Sequence, residues 1–144
     1  MTLWQLLFSF RGRLNRLGFW QGVGICALAL VLIANILPLP VLFAQTHTAL
    51  LASLMLALIC FCFCAVAVKR LHDRNRSGWA VWMIALPILG YILSQQATGA
   101  MAWALGRFFP LFFVTLFVLD WGVFLGKNEP NRYGARGVSL KWKD

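Results

Sequence analysis

Ala49 to Val68 reads ALLASLMLALICFCFCAVAV, twenty residues without a charge, and Lys69 and Arg70 follow at once. Crossing ~30 Å of hydrocarbon takes about 20 apolar residues at 1.5 Å each, so this run is a membrane-spanning helix. To its N-terminal side, Phe19 to Leu37 forms a second candidate span. Phe19 and Trp20 open it at the interface, and Pro38 and Pro40 end it because proline cannot continue the hydrogen-bond ladder. To the C-terminal side, a third segment begins at Gly78-Trp79 and covers 79–96. It is short and carries Pro87, which allows a kink or a re-entrant path. The fourth covers 108–125, with an alternative start nearer Ala100, Pro110 as a kink and Arg107 reaching back to the interface. The chain has 144 residues, 61% of them hydrophobic and 12% charged. An ordinary soluble domain carries ~25% charged residues.

The charges between the spans set the topology. Arg11, Arg13 and Arg16 precede the first span; Lys69, Arg70, Arg74 and Arg76 lie between the second and third. Lys127, Arg132, Arg136, Lys141 and Lys143 follow the fourth. Four spans therefore place twelve of the thirteen basic residues on one side and leave Arg107 alone on the other. The positive-inside rule makes that side cytoplasmic. The expected architecture is an all-α integral membrane protein. It is a four-transmembrane-helix bundle in the bacterial inner membrane, with both termini cytoplasmic. The net charge of +9 sits beside apolar runs, which favours a membrane surface over nucleic acid as partner.

Residues 1–16 are too short to span. Leu3, Leu6, Leu7, Phe10 and Leu14 recur at helical spacing with arginines close behind, the pattern of an interfacial amphipathic helix. No basic region precedes Leu3 to Phe10, so a cleavable signal peptide is not expected. Residues 126–144 read as a cytoplasmic tail, and 1–144 as a single membrane domain. Gly18, Gly22 and Cys26 share one face of the first span, and Ala49, Ser53 and Ala57 one face of the second. Such small residues let backbones approach closely, so these two helices are expected to pack together, with homodimerisation through the same face as the alternative. Cys26, Cys60, Cys62 and Cys64 fit no CxxC or zinc pattern and read as packing residues. No metal or cofactor is expected.

Three segments are unlike the rest: FRGRLNRLGFW at 10–20, KRLHDRNRSGW at 69–79 and NRYG at 131–134. In composition and order they resemble the hallmark segments of domain of unknown function 805, the uncharacterised bacterial inner-membrane proteins of YhaH/YhaI type. The family name implies a location and a helical fold but no activity. Shorter members have one apolar segment between the second and third motifs. This chain has two, so one looks like an insertion.

In the four-span topology all three motifs face the cytoplasm. They are expected to converge on a patch of Arg11, Arg13, Arg16, Arg70, His72, Asp73, Arg74, Arg76, Ser77 and Arg132. Arginine presents a planar fork suited to phosphate, and Trp20 and Trp79 lie at headgroup depth, so the expected ligand is an anionic phospholipid headgroup. The competing expectation is an orientation signal plus internal ion pairs. Asp120, the one acid inside a span, reads as a structural partner of these arginines. The function expected is a non-enzymatic accessory or interaction module that contacts membrane lipids, and a partner membrane protein remains open. Two other classes compete. A small transporter or channel would use Asp120, but few polar residues offer it a path. A phosphate-processing enzyme would use His72 with the arginines, but no nucleophile stands at telling spacing.

Overall fold

The computed structural model describes residues 1–36 and 46–141. Leu37, Pro38 and Pro40, expected to close the first span, lie outside the described residues, as does the end of the tail with Lys143. Among the described residues five helices follow in order: α1, Leu3–Phe8; α2, Arg16–Ile36; α3, Thr46–Asp73; α4, Gly78–Ser94; and α5, Gly99–Val123. Among the described residues there is no strand, only the isolated bridges Leu14 to Val138 and Asn131 to Gly134. Three of the described helices, α2, α3 and α5, are long and apolar enough to cross a membrane.

α4 is the short one, and its geometry offsets its length. Seven residues, Gly78–Ile84, are 3-10 helix, and ten, Ala85–Ser94, are α-helix. The 3-10 form rises ~2.0 Å per residue against 1.5 Å, so the whole helix reaches ~29 Å, close to one hydrocarbon thickness. Ser77 starts it, its hydroxyl accepting from the Trp79 backbone at 3.4 Å. α5 begins at Gly99, nearer the alternative start than residue 108. Pro110 has no N–H to give. Just ahead of it the helix widens to π geometry over Ala104–Phe108, where the Phe109 N–H reaches back to the Ala104 carbonyl. A second π segment, Val118–Val123, ends the helix.

The N-terminal segment corrects the expectation of a helix over 1–16. Thr2 and Gln5 form a capping box, but the helix lasts only six residues, Leu3–Phe8. From Ser9 to Asn15 the chain is not helical, because its backbone groups are used elsewhere. Leu14 donates to the Lys69 carbonyl at 3.1 Å, and Asn15 donates to the Val138 carbonyl at 3.1 Å. Leu6 and Leu14 are fully buried. Residues 126–141 are likewise drawn back against the bundle, with Leu140 buried and its N–H on the Gln21 side chain at 3.0 Å.

α2 packs on α3, as the small residues of α2 predict, but a different face of α3 receives them. A Cβ at Gly22 would stand 2.7 Å from a Val66 methyl, so the two backbones meet there. Cys26 packs with Ile59 and Cys62. Ser53 and Ala57, expected in this seam, are exposed, because Ile59, Cys62 and Val66 are positions that face α2. α4 and α5 form a hairpin in which Gly90 receives the Phe109 ring. The main buried core lies at one end, built from Leu6, Leu14, Phe19, Val66, Leu71 and Trp121 among others. Away from it the helices expose apolar side chains such as Leu28, Leu54 and Leu111, the inversion expected where lipid is the solvent.

Candidate functional site

The buried end of the bundle is also its basic end. A helix leaves its last carbonyls without intrahelical donors, and α5 ends there. Every carbonyl from Asp120 to Phe124 takes a side-chain donor from elsewhere in the chain. Arg74 donates to Asp120 at 2.6 Å, Arg70 to Trp121 and Phe124 at 2.5 Å each, Trp20 to Gly122 at 3.2 Å and Arg16 to Val123 at 3.2 Å. Positive charge at a helix C-terminus also complements its dipole. Lys69 does the same for α1, its ammonium donating to the Gln5 and Leu6 carbonyls at 2.6 and 2.5 Å. The charges after the second span thus act as caps on neighbouring helices.

Asp73 joins the three motifs. Its carboxylate, almost wholly buried, accepts from Arg70 at 2.7 Å and from Arg13 at 3.2 Å. Arg13 carries the contact onward, donating to the carbonyls of Glu129 at 2.8 Å, Gly134 at 3.1 Å, Ala135 at 3.3 Å and Lys127. Asn131 donates its amide to the His72 carbonyl at 2.9 Å, and the Tyr133 ring stacks on His72 at 3.8 Å. Gly126 and Gly137 flank the carboxylate so closely that a Cβ on either would strike it. Among the described residues, no buried side-chain nitrogen or oxygen lacks a partner. That completeness is what lets two guanidiniums remain inside a protein.

The convergence expected of the three motifs is therefore present, but its members divide. Arg13 and Arg70 are 1% and 0% exposed and spend their donors on protein atoms. Ser77 caps α4 rather than facing the arginines. His72 lies between Tyr133 and the Gly12 carbonyl, 3.2 Å from its Nδ1. Asp120 pairs with Arg74 at 3.1 Å and Arg76 at 3.3 Å. Arg132 stands 4.8 Å over the Tyr133 ring, and Arg11 and Arg16 are exposed. Reading the motifs alone overlooks Tyr133, Lys69 and the two glycines around Asp73. The one usable signal was that Asp73 is the only acid inside the three motifs.

Beside this node opens a cavity of about 530 Å3. Arg16, Arg70, Lys127 and Arg136 bring positive charge to its lining, Leu17 and Leu125 add apolar surface, and Trp20 forms one wall. Lys127 and Arg136 make no ion pair among the described residues. The Asp73 carboxylate also lines it, already matched by two arginines. A concave basic site with an apolar edge can hold an amphiphilic anion.

An all-helical bundle with membrane-length apolar helices, closed at one end by an arginine–carboxylate node, defines the class. The family model "Protein of unknown function (DUF805)" matches residues 7–135, which takes in all three motifs, and the chain belongs to that family. It is 35% identical to the uncharacterized protein YiiR of Escherichia coli (strain K12) over 144 residues, covering 99% of this chain and 95% of the relative. The same-named protein of Escherichia coli O157:H7 matches to the same extent. No solved structure matches.

Proposed function

We propose that this is a four-span protein of the bacterial inner membrane, with both termini cytoplasmic, that holds an anionic phospholipid headgroup at its cytoplasmic face. It acts as a non-enzymatic accessory module. The observation that carries this is the cavity lined by Arg16, Lys127, Arg136 and Trp20. Of the four cations that line it, Arg16, Lys127 and Arg136 lie outside the ion pairs that tie up Arg13, Arg70, Arg74 and Arg76. The bias of basic residues toward one side supports the orientation, and the ~29 Å reach of α4 supports counting it as a span. The headgroup reading thus moves from the whole arginine set to these three residues, with Arg11 and Arg132 free to add leaflet attraction of about 1 kcal/mol each.

Lipid extraction from purified protein tests it. Wild type is expected to retain phosphatidylglycerol or cardiolipin above its share of the membrane. Arg16→Gln/Arg136→Gln is expected to lose that enrichment while its helical content holds. Equal lipid profiles in the two proteins would refute the site.

A further inference from the structure

The basic cavity shares a wall with an apolar one. Trp20, one of its walls, also lines an apolar cavity of about 450 Å3 between α2, α4 and α5, together with Phe19, Val23 and Phe117. That cavity adjoins a second apolar one of about 530 Å3, and Val23, Phe63, Ile84 and Ile88 line both. No charged side chain lines either. The cause is architectural. The α4–α5 hairpin is held to α2 and α3 mainly at the basic end, where Arg70, Arg74, Arg16 and Trp20 grip the last turn of α5. Farther along, the two helix pairs leave a cleft.

We infer that the basic cavity and the apolar cleft are one site for a single anionic phospholipid: the phosphate lies among Arg16, Lys127 and Arg136, and an acyl chain passes Trp20 into the cleft between the helix pairs. The inference rests on the headgroup reading above and adds where the chain goes. Charge selects the headgroup end, since of these three cavities the one lined by Arg16, Lys127 and Arg136 is basic and the other two carry no charge. Leu17 and Leu125, which also line the basic cavity, offer apolar surface to the glycerol and first methylenes. Each cavity falls within the ~300–1,000 Å3 usual for small-molecule sites. An indole that is apolar in body and hydrogen-bonded at its N–H suits the boundary between the two environments. Its N–H is already held by the Gly122 carbonyl at 3.2 Å, which fixes the ring as a wall.

The full chain, reconstituted in vesicles of phosphatidylglycerol and phosphatidylcholine, tests this with photoreactive phosphatidylglycerol that carries a diazirine in mid-chain. Adducts are expected on Val23, Phe63 and Ile84, inside the cleft, at several times the yield on outward-facing Leu28 and Leu54. A phosphatidylcholine probe with the same chain should not reproduce that pattern. In Arg16→Gln/Arg136→Gln the cleft adducts should fall about tenfold, since the headgroup no longer anchors the chain. If phosphatidylglycerol remains enriched but both probes label cleft and outer faces alike, the chains lie in the surrounding lipid. The single-lipid site is then overturned while the headgroup reading stands. If phosphatidylglycerol is not enriched at all, both fail.

Discussion

Replacing Asp73 tests the node on which the three motifs meet. The carboxylate is 4% exposed and accepts from Arg70 at 2.7 Å and Arg13 at 3.2 Å. Asp73→Ala removes the acid that pairs with two buried guanidiniums. Their carbonyl partners remain, including Glu129, Gly134, Trp121 and Phe124, but the directly paired carboxylate does not. Removing one partner of a buried pair costs ~3–5 kcal/mol, because the other charge stays buried and uncompensated. With two arginines affected, the upper half of that range is expected, more than a hundredfold in the folded-to-unfolded ratio. Asp73→Asn keeps an acceptor and should lose about 3 kcal/mol. Adding Arg13→Met to Asp73→Asn removes one orphaned charge, so the double variant should be more stable than the sum of its singles by at least ~1 kcal/mol. The measurement is unfolding by dodecyl sulfate in mixed micelles, followed through tryptophan fluorescence, with Trp121 in the adjacent core. A loss below ~1 kcal/mol for Asp73→Ala, the size typical of exposed pairs, would refute the buried node.

Arg70→Lys should cost about 2–3 kcal/mol in the same assay, because one ammonium cannot reach Asp73, Leu14, Trp121 and Phe124 together; a neutral result would contradict the capping role. Gly22→Ala should cost about 1–3 kcal/mol by forcing α2 off Val66. Gly24→Ala, with nothing within 4 Å of its added Cβ, serves as the control and should be near-neutral. Reporter fusions at Asn75 and Lys141 should read cytoplasmic and one at Thr98 external, since the charge bias predicts that topology; an external signal at Asn75 would end the four-span account.

Much of the helical plan is legible in the sequence because lipid imposes a one-dimensional rule. An uncharged run such as 49–68 has few other uses, and the charges beside it mark a side. The meeting of the three motifs is what the proposed four-span topology predicts, since an even number of spans would return each to one end. Burial of those motifs is not legible. Arg13 and Arg70 look like surface charge, because a sequence displays cations but hides the carbonyls that hold them, and here the partners are the last turn of α5 and the backbone of residues 127–135. The six-residue length of α1 is hidden for a related reason. Leu6 and Leu14 keep helical spacing, yet the backbone between them is drawn into bonds with Lys69 and Val138 that lie far along the chain. The small-residue rule located the α2 face correctly, because Gly22 must sit at a close approach. It chose Ser53 and Ala57 wrongly on α3, where larger side chains such as Ile59 and Val66 fill the seam.

The central claim is that the cavity at the basic end holds an anionic headgroup, and electron cryo-microscopy in nanodiscs containing phosphatidylglycerol tests it most directly. Phosphate density is expected within hydrogen-bond reach of Arg16 and at least one of Lys127 and Arg136, with continuous density leading past Trp20. A well-resolved cavity without lipid density, with those three side chains directed to solvent, would contradict the claim.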